Sequence, residues 1–237
     1  MFTAYPSFRG ASRRLLKTLG IAAAAIALSW PAIASAQQFM QSARPMPYGR
    51  GFHGSAVLGD YLYVFGGHKA NAEGAEEPES TTNDVMFAPI EPNGQIGQWQ
   101  QNTSMPQSRY YVANSTLVLN DVVYIIGGSD APAGGQRFNN AIWSKPLPNG
   151  RLTPWQTSAP WGEGLSTVTT VATPGHIHVI GGLTASNPDR EGVDKAVASV
   201  WTNPVSADGS MSRWEPGPSL PFPLWFHHSG VVAGRVY

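Results

Sequence analysis

Tyr61-Leu62-Tyr63-Val64-Phe65-Gly66-Gly67 is an apolar run closed by paired glycines, and it returns twice further along the chain. The copies are Val122-Val123-Tyr124-Ile125-Ile126-Gly127-Gly128 and His176-Ile177-His178-Val179-Ile180-Gly181-Gly182. A short apolar run bounded by glycine reads as a buried strand. Glycine at its end fits a position where another backbone approaches too closely for a side chain. The Gly pairs lie 61 and 54 residues apart, and self-similarity at a near-constant spacing is the mark of a repeat architecture.

Two further anchors keep the same order. Trp99, Trp155 and Trp214 each follow a turn glycine by five residues, in Asn93-Gly94, Asn149-Gly150 and Asp208-Gly209. Pro89, Pro146 and Pro204 precede those turns. The common period is about 58 residues. Each copy predicts four short strands. The first covers 54–58, 115–119 and 167–172, and 230–233 in an incomplete fourth copy. A tight turn leads to the second strand, which ends in the Gly pair. The third covers 84–90, 141–147 and 199–205, and the fourth begins near each Trp. Four antiparallel strands repeating at this length describe a propeller blade, so the fold class is all-β. Composition agrees. Gly and Pro number 26 and 20 of 237 residues, about 19%, where roughly 12% is ordinary. Such punctuation, with only 13% charged residues, favours short strands and turns over long helices.

The stretch Arg50-Gly51-Phe52-His53-Gly54-Ser55-Ala56-Val57-Leu58-Gly59-Asp60 followed by Tyr61 to Gly67 resembles the kelch-repeat family. The double Gly after an apolar strand, the later Trp and the Pro-x-x-Arg before the next strand carry the resemblance, which covers about residues 44–237. It implies a kelch-type β-propeller, with three full blades and part of a fourth in this chain. It also implies structural roles for Gly66, Gly67, Gly127, Gly128, Gly181 and Gly182, as close-approach positions, and for Trp99, Trp155 and Trp214, packed between blades. Copy three departs from the pattern: His176 and His178 replace apolar or Tyr positions, and Trp161-Gly162-Glu163-Gly164 lacks the expected Arg. The resulting division is 51–107, 108–163 and 164–222 for the complete repeats and 223–237 for a truncated one. Residues 37–50 are a candidate closing strand for a final blade. Propellers close with about 4–8 blades, so we expect this chain to be a piece of a longer ring.

Residues 1–36 read as a cleaved export signal. Arg9, Arg13, Arg14 and Lys17 precede an apolar run from Leu19 to Leu28, then Pro31 and Ala34-Ser35-Ala36. The run is half the roughly twenty residues that a membrane span needs. Ser12-Arg13-Arg14-Leu15-Leu16 also partly resembles a twin-arginine motif, so the route is Sec or twin-arginine and the destination periplasmic or secreted. The remainder holds 11 basic against 15 acidic residues. A mildly acidic domain lacks the basic surface that nucleic acid requires, and that class is excluded. The absence of Cys excludes disulfides, thiolate metal sites and a Cys nucleophile.

Functional candidates come mainly from the resemblance. In kelch propellers the loops that lead into strand one surround the central channel, and an Arg there binds ligands in several members. Arg50 and Arg109 match that position, with His53 and His227 in the neighbouring register. Arg presents a planar fork suited to carboxylates, which points to an acidic ligand; the alternative is that these arginines pair with backbone carbonyls or neighbouring acids. His176 and His178 share a strand face, but His178 sits in the Tyr register and reads as a packing substitute. No spacing matches a metal site, no cofactor is implied, and GxSxG, HExxH and phosphate loops are absent. The expected function is an interaction module for a glycan, peptide or protein ligand. The alternative is a carbohydrate-active enzyme, such as a sialic-acid mutarotase-like isomerase; galactose oxidase chemistry would need the missing Cys.

Overall fold

The computed structural model describes residues 44–70, 76–131, 135–185 and 194–237. The export signal and the first part of the candidate closing strand lie outside the described residues. In chain order, β1 (Arg50–Gly51) and β2 (Gly54–Leu58) lead into β3 (Tyr61–Phe65), and β4 (His68–Ala70) and β5 (Glu76–Thr81) follow. Then β6 (Val85–Pro89) and β7 (Gln100–Gln101) finish the first repeat. The second repeat holds β8 (Thr116–Leu119), β9 (Val122–Ile126), β10 (Ala141–Ser144) and β11 (Gln156–Thr157). The third holds β12 (Thr169–Thr173), β13 (His176–Ile180), β14 (Leu183–Thr184), β15 (Lys195–Ala196), β16 (Val200–Pro204) and β17 (Glu215–Pro216). The hairpin β18 (Val231–Val232) and β19 (Arg235–Val236) begins a fourth.

Three four-stranded antiparallel sheets result: β2-β3-β6-β7, β8-β9-β10-β11 and β12-β13-β16-β17. The first strands of successive repeats are neighbours, β2 beside β8, β8 beside β12 and β12 beside β18. Strand one is therefore the inner strand of each sheet. Among the described residues the single helical segment is a 3₁₀ turn, Ala113–Ser115, and no helix is long and apolar enough to cross a membrane.

Burial explains why the second strands read as continuous apolar runs. All five residues of β9 are buried, because both faces of that sheet are covered. Val123 and Ile125 pack with Tyr63, Phe65 and Phe87 of the first repeat. The alternate residues Val122, Tyr124 and Ile126 pack with Ile177 and Val179 of the third, as the two-residue period of a strand requires. The sheets are tied at their hairpins. Tyr63 Oη donates to Gly150 O at 2.8 Å and Tyr124 Oη donates to Gly209 O at 2.7 Å. In each case a strand-two Tyr holds the turn glycine of the next repeat. His178 occupies this register in repeat three, and its ring contacts Thr173 Oγ1 and Thr202 Oγ1 of its own sheet instead.

The Trp anchors bridge backwards. Trp155 Nε1 donates to Thr103 O, and Trp214 Nε1 donates to Ser158 Oγ. Trp99 Nε1 donates to Arg44 O at 3.1 Å, the partner that corresponds to Thr103 and Ser158 for the later Trp residues. Two features differ from the sequence reading. The fourth strands are only two residues long, and the residue after each still donates its N–H to strand three. In repeat one that residue is Asn102, whose side chain also bonds the next repeat, donating to Gly150 O and accepting from Leu152 N. The segment between strands two and three of repeat one, for which the repeat pattern predicts no strand, contributes to β4 and β5, and β1-β4-β5 form an extra three-stranded sheet.

Candidate functional site

The strand-leading segments decide what the arginines do. Arg109 is fully buried. Its Nη1 donates to Gly127 O at 2.6 Å and to Asn140 O at 3.3 Å, and Nη2 donates to Asn140 Oδ1 at 2.6 Å. The guanidinium also lies 4.3 Å from the centre of the Phe138 ring. Burial pushes its pKa down to about 9, which leaves it a cation at neutral pH. Arg50 repeats the arrangement in repeat one, donating to Gly66 O at 2.8 Å and Asp84 O at 3.1 Å and also to Tyr48 Oη. Asp84, at the Asn140 position, adds an ion pair at 3.8 Å. Lys69 and the Tyr48 hydroxyl bind the same carboxylate and hold its pKa below the ordinary value against the opposing effect of burial. Each arginine thus clamps the first glycine of its own Gly pair to the start of strand three. Leu165 holds this register in repeat three, fully buried.

His53 and His227 lie three positions beyond the clamp register, where repeats two and three carry the buried Val112 and Val168. Both histidines pack against the Gly pairs. A Cβ on Gly67 would lie 2.7 Å from His53 Cβ, and one on Gly181 would lie 2.9 Å from His227 Cε1. Burial is the main cause that lowers the pKa of both, and also of His178. The folded protein therefore binds fewer protons than the unfolded chain near the ordinary His value of about 6.5. Stability is fully present above that value and is lost as the pH falls through the lowered values. Melting temperature should drop between pH 7.5 and pH 5, and His227→Val, which installs the residue of repeats two and three, should flatten the drop. A melting temperature that holds or rises on acidification contradicts this account.

The residues that line a shared cavity were not found from sequence. Phe52, Tyr111, Thr167 and Phe226 each lie two positions after the clamp register of their repeat. All four have left-handed backbones, with φ of 53°, 61°, 53° and 50°. For a residue with a Cβ this conformation costs about 1–2 kcal/mol, and outliers of this kind cluster at functional sites. Here all four line one cavity of about 230 Å³, together with Ala113, Asn114, Val168 and His228. The ring centres of Phe52 and Tyr111 are 5.0 Å apart, those of Tyr111 and Phe226 5.4 Å, and those of Phe52 and Phe226 6.3 Å. Rings from repeats one, two and four thus meet where the inner strands converge. The detectable signal was an aromatic residue two positions after the lead-in residue in three of four repeats. Arg50, Arg109, His53 and His227 are not among the lining residues.

The backbone fixes this geometry. The second glycine of each pair donates its N–H to the clamp-register carbonyl of the next repeat, Gly67 to Arg109 at 2.7 Å, Gly128 to Leu165 at 2.9 Å and Gly182 to Leu224 at 2.8 Å. In repeats one to three the residue after the clamp position pairs with its own repeat's second loop, Gly51 with His68, Tyr110 with Ser129 and Ser166 with Leu183. In repeats one to three the two residues before the left-handed one are therefore held in place, and its side chain lines the cavity.

No protein-family model matches the chain. Over 89 residues it is 27% identical to the spermatocyte protein spe-26 of Caenorhabditis elegans, which covers 38% of this chain and 14% of that protein. Among solved structures it is similar to the structure of YjhT, with a TM-score of 0.59 and 14% sequence identity. That match covers 82% of this chain and 66% of the YjhT chain. Together with the antiparallel four-stranded sheets, the likeness supports a kelch-like β-propeller fold for this chain.

Proposed function

We propose that this protein is an exported ligand-binding module, periplasmic or secreted, that takes its ligand at the aromatic cavity between the inner strands. One observation carries the reading: four consecutive repeats hold a strained, non-glycine residue in one register, and all four line a single cavity. Packing alone gives no reason to keep large side chains where glycine would be relaxed. A glycan or a peptide end suits the space, which is below the roughly 300–1,000 Å³ of pockets for drug-sized ligands. The test is a glycan and peptide array probed with the intact protein and with Phe52→Gly. Hits present for the first and absent for the second support the reading; no hits, or hits that survive the substitution, overturn it.

The second reading, a sialic-acid mutarotase-like isomerase, rests on the kelch resemblance and the exported character of the chain. It calls for arginine and carboxylate groups converging on the ligand. The cavity lining contains neither, and Arg50 and Arg109 are turned onto backbone carbonyls. Those placements favour the module. Proton NMR of N-acetylneuraminic acid anomers decides between the two, since exchange faster than in buffer supports the isomerase.

A further inference from the structure

We infer that the aromatic cavity is built for an uncharged sugar ring, a neutral pyranose residue, rather than for the acidic ligand that arginines in the strand-leading segments suggest. The inference rests on the cavity being the binding site and adds the class of ligand. The rings of Phe52, Tyr111 and Phe226 supply apolar faces, and Phe52 and Phe226 remain 42% and 48% exposed. Aromatic faces of this kind suit the C–H side of a pyranose, whose hydroxyl edges still need hydrogen bonds.

The polar residues of the lining supply them. Thr167 is 4% exposed and lines the cavity, yet its Oγ1 has no hydrogen-bond partner among the described residues. A buried hydroxyl left without a partner is costly, and a ligand hydroxyl would satisfy it. Asn114 and His228 are further polar residues of the lining.

Charge argues in the same direction. The lining holds no carboxylate, Lys or Arg. The buried Arg109, two residues before the lining Tyr111, has its Nη atoms occupied by Gly127 and Asn140. An anionic sugar would lose its hydration here and meet no opposite charge, which is expensive. A neutral ring carries no such penalty.

Isothermal titration of the full chain tests this with methyl β-D-galactopyranoside, methyl α-D-mannopyranoside and N-acetylglucosamine. N-acetylneuraminic acid, glucuronic acid and an aromatic-rich peptide are titrated alongside. We expect binding of at least one neutral sugar and none of the acids. Phe226→Gly should weaken it about tenfold. That substitution suits the left-handed backbone, so a preserved melting temperature is expected with it. Thr167→Val, which keeps the shape and removes the hydroxyl, should weaken binding about fivefold and serves if Phe226→Gly fails to fold. Acid or peptide binding that is lost in these variants, without neutral-sugar binding, overturns the ligand class and leaves the module standing. No binding by any probe, or binding indifferent to both substitutions, overturns the class and the site together.

Discussion

Arg109→Ala is expected to destabilise the fold by about 3–5 kcal/mol, through a cavity and through buried acceptors left unpaired. That is a large share of the roughly 5–15 kcal/mol by which domains are stable. The side chain is fully buried, and its removal strands Gly127 O and Asn140 Oδ1 without their donor. The repeats supply a finer test. The clamp position and the residue that starts strand three vary together: Arg50 with Asp84, Arg109 with Asn140, and Leu165 with Ser199. Repeat three therefore shows that leucine is tolerated when its partner has no amide to satisfy. Arg109→Leu alone should cost about 2–3 kcal/mol. The double variant Arg109→Leu with Asn140→Ser should be less destabilised than the two single effects added, with a coupling of about 1–2 kcal/mol. Urea unfolding of the four proteins measures the cycle. Strict additivity would mean that the clamp acts through volume alone.

The same residues show which parts of the protein could be read in advance. Gly66, Gly127 and Gly181 were legible because a glycine forced by close approach leaves a fixed letter in a fixed place. The buried second strands were legible because covering both faces of a sheet demands an unbroken apolar run. The arginine clamp was only half legible, since the letter Arg is compatible with a ligand carboxylate or with a carbonyl. Burial decides between them, and burial depends on how Phe138 and the Gly pair pack around the guanidinium.

The cavity was hidden for a different reason. Aromatic residues normally avoid left-handed backbone, so nothing in Phe52, Tyr111 or Phe226 announces it. In repeats one to three the two residues before the left-handed one are held by backbone pairing with other segments, which no single residue type records. The ribbon of β4 and β5 escaped as well, because its largely polar sequence shows no apolar alternation.

Gly127→Ala should be about as damaging as loss of the clamp, and the comparison with Gly59→Ala shows why. Both glycines are left-handed, with φ of 62° and 54°, so alanine meets a similar backbone penalty of about 1–2 kcal/mol at each. Their surroundings differ. A Cβ at Gly59 would meet nothing within 4 Å, whereas one at Gly127 would lie 2.6 Å from Leu165 O. That oxygen belongs to the backbone of the next repeat and already accepts the N–H of Gly128. It cannot yield without opening the contact between repeats two and three and moving the left-handed Thr167 two residues further on. Gly127→Ala is therefore expected to lose about 2–5 kcal/mol, the backbone penalty plus an overpacking cost of about 1–3 kcal/mol. Gly59→Ala should lose no more than about 2 kcal/mol. Chemical denaturation of the two variants beside the parent protein gives the difference directly. Equal losses would show that the Gly pair is required for its backbone conformation alone. A larger loss at Gly127, with weaker ligand binding in the surviving folded fraction, ties the close approach of the repeats to the shape of the cavity.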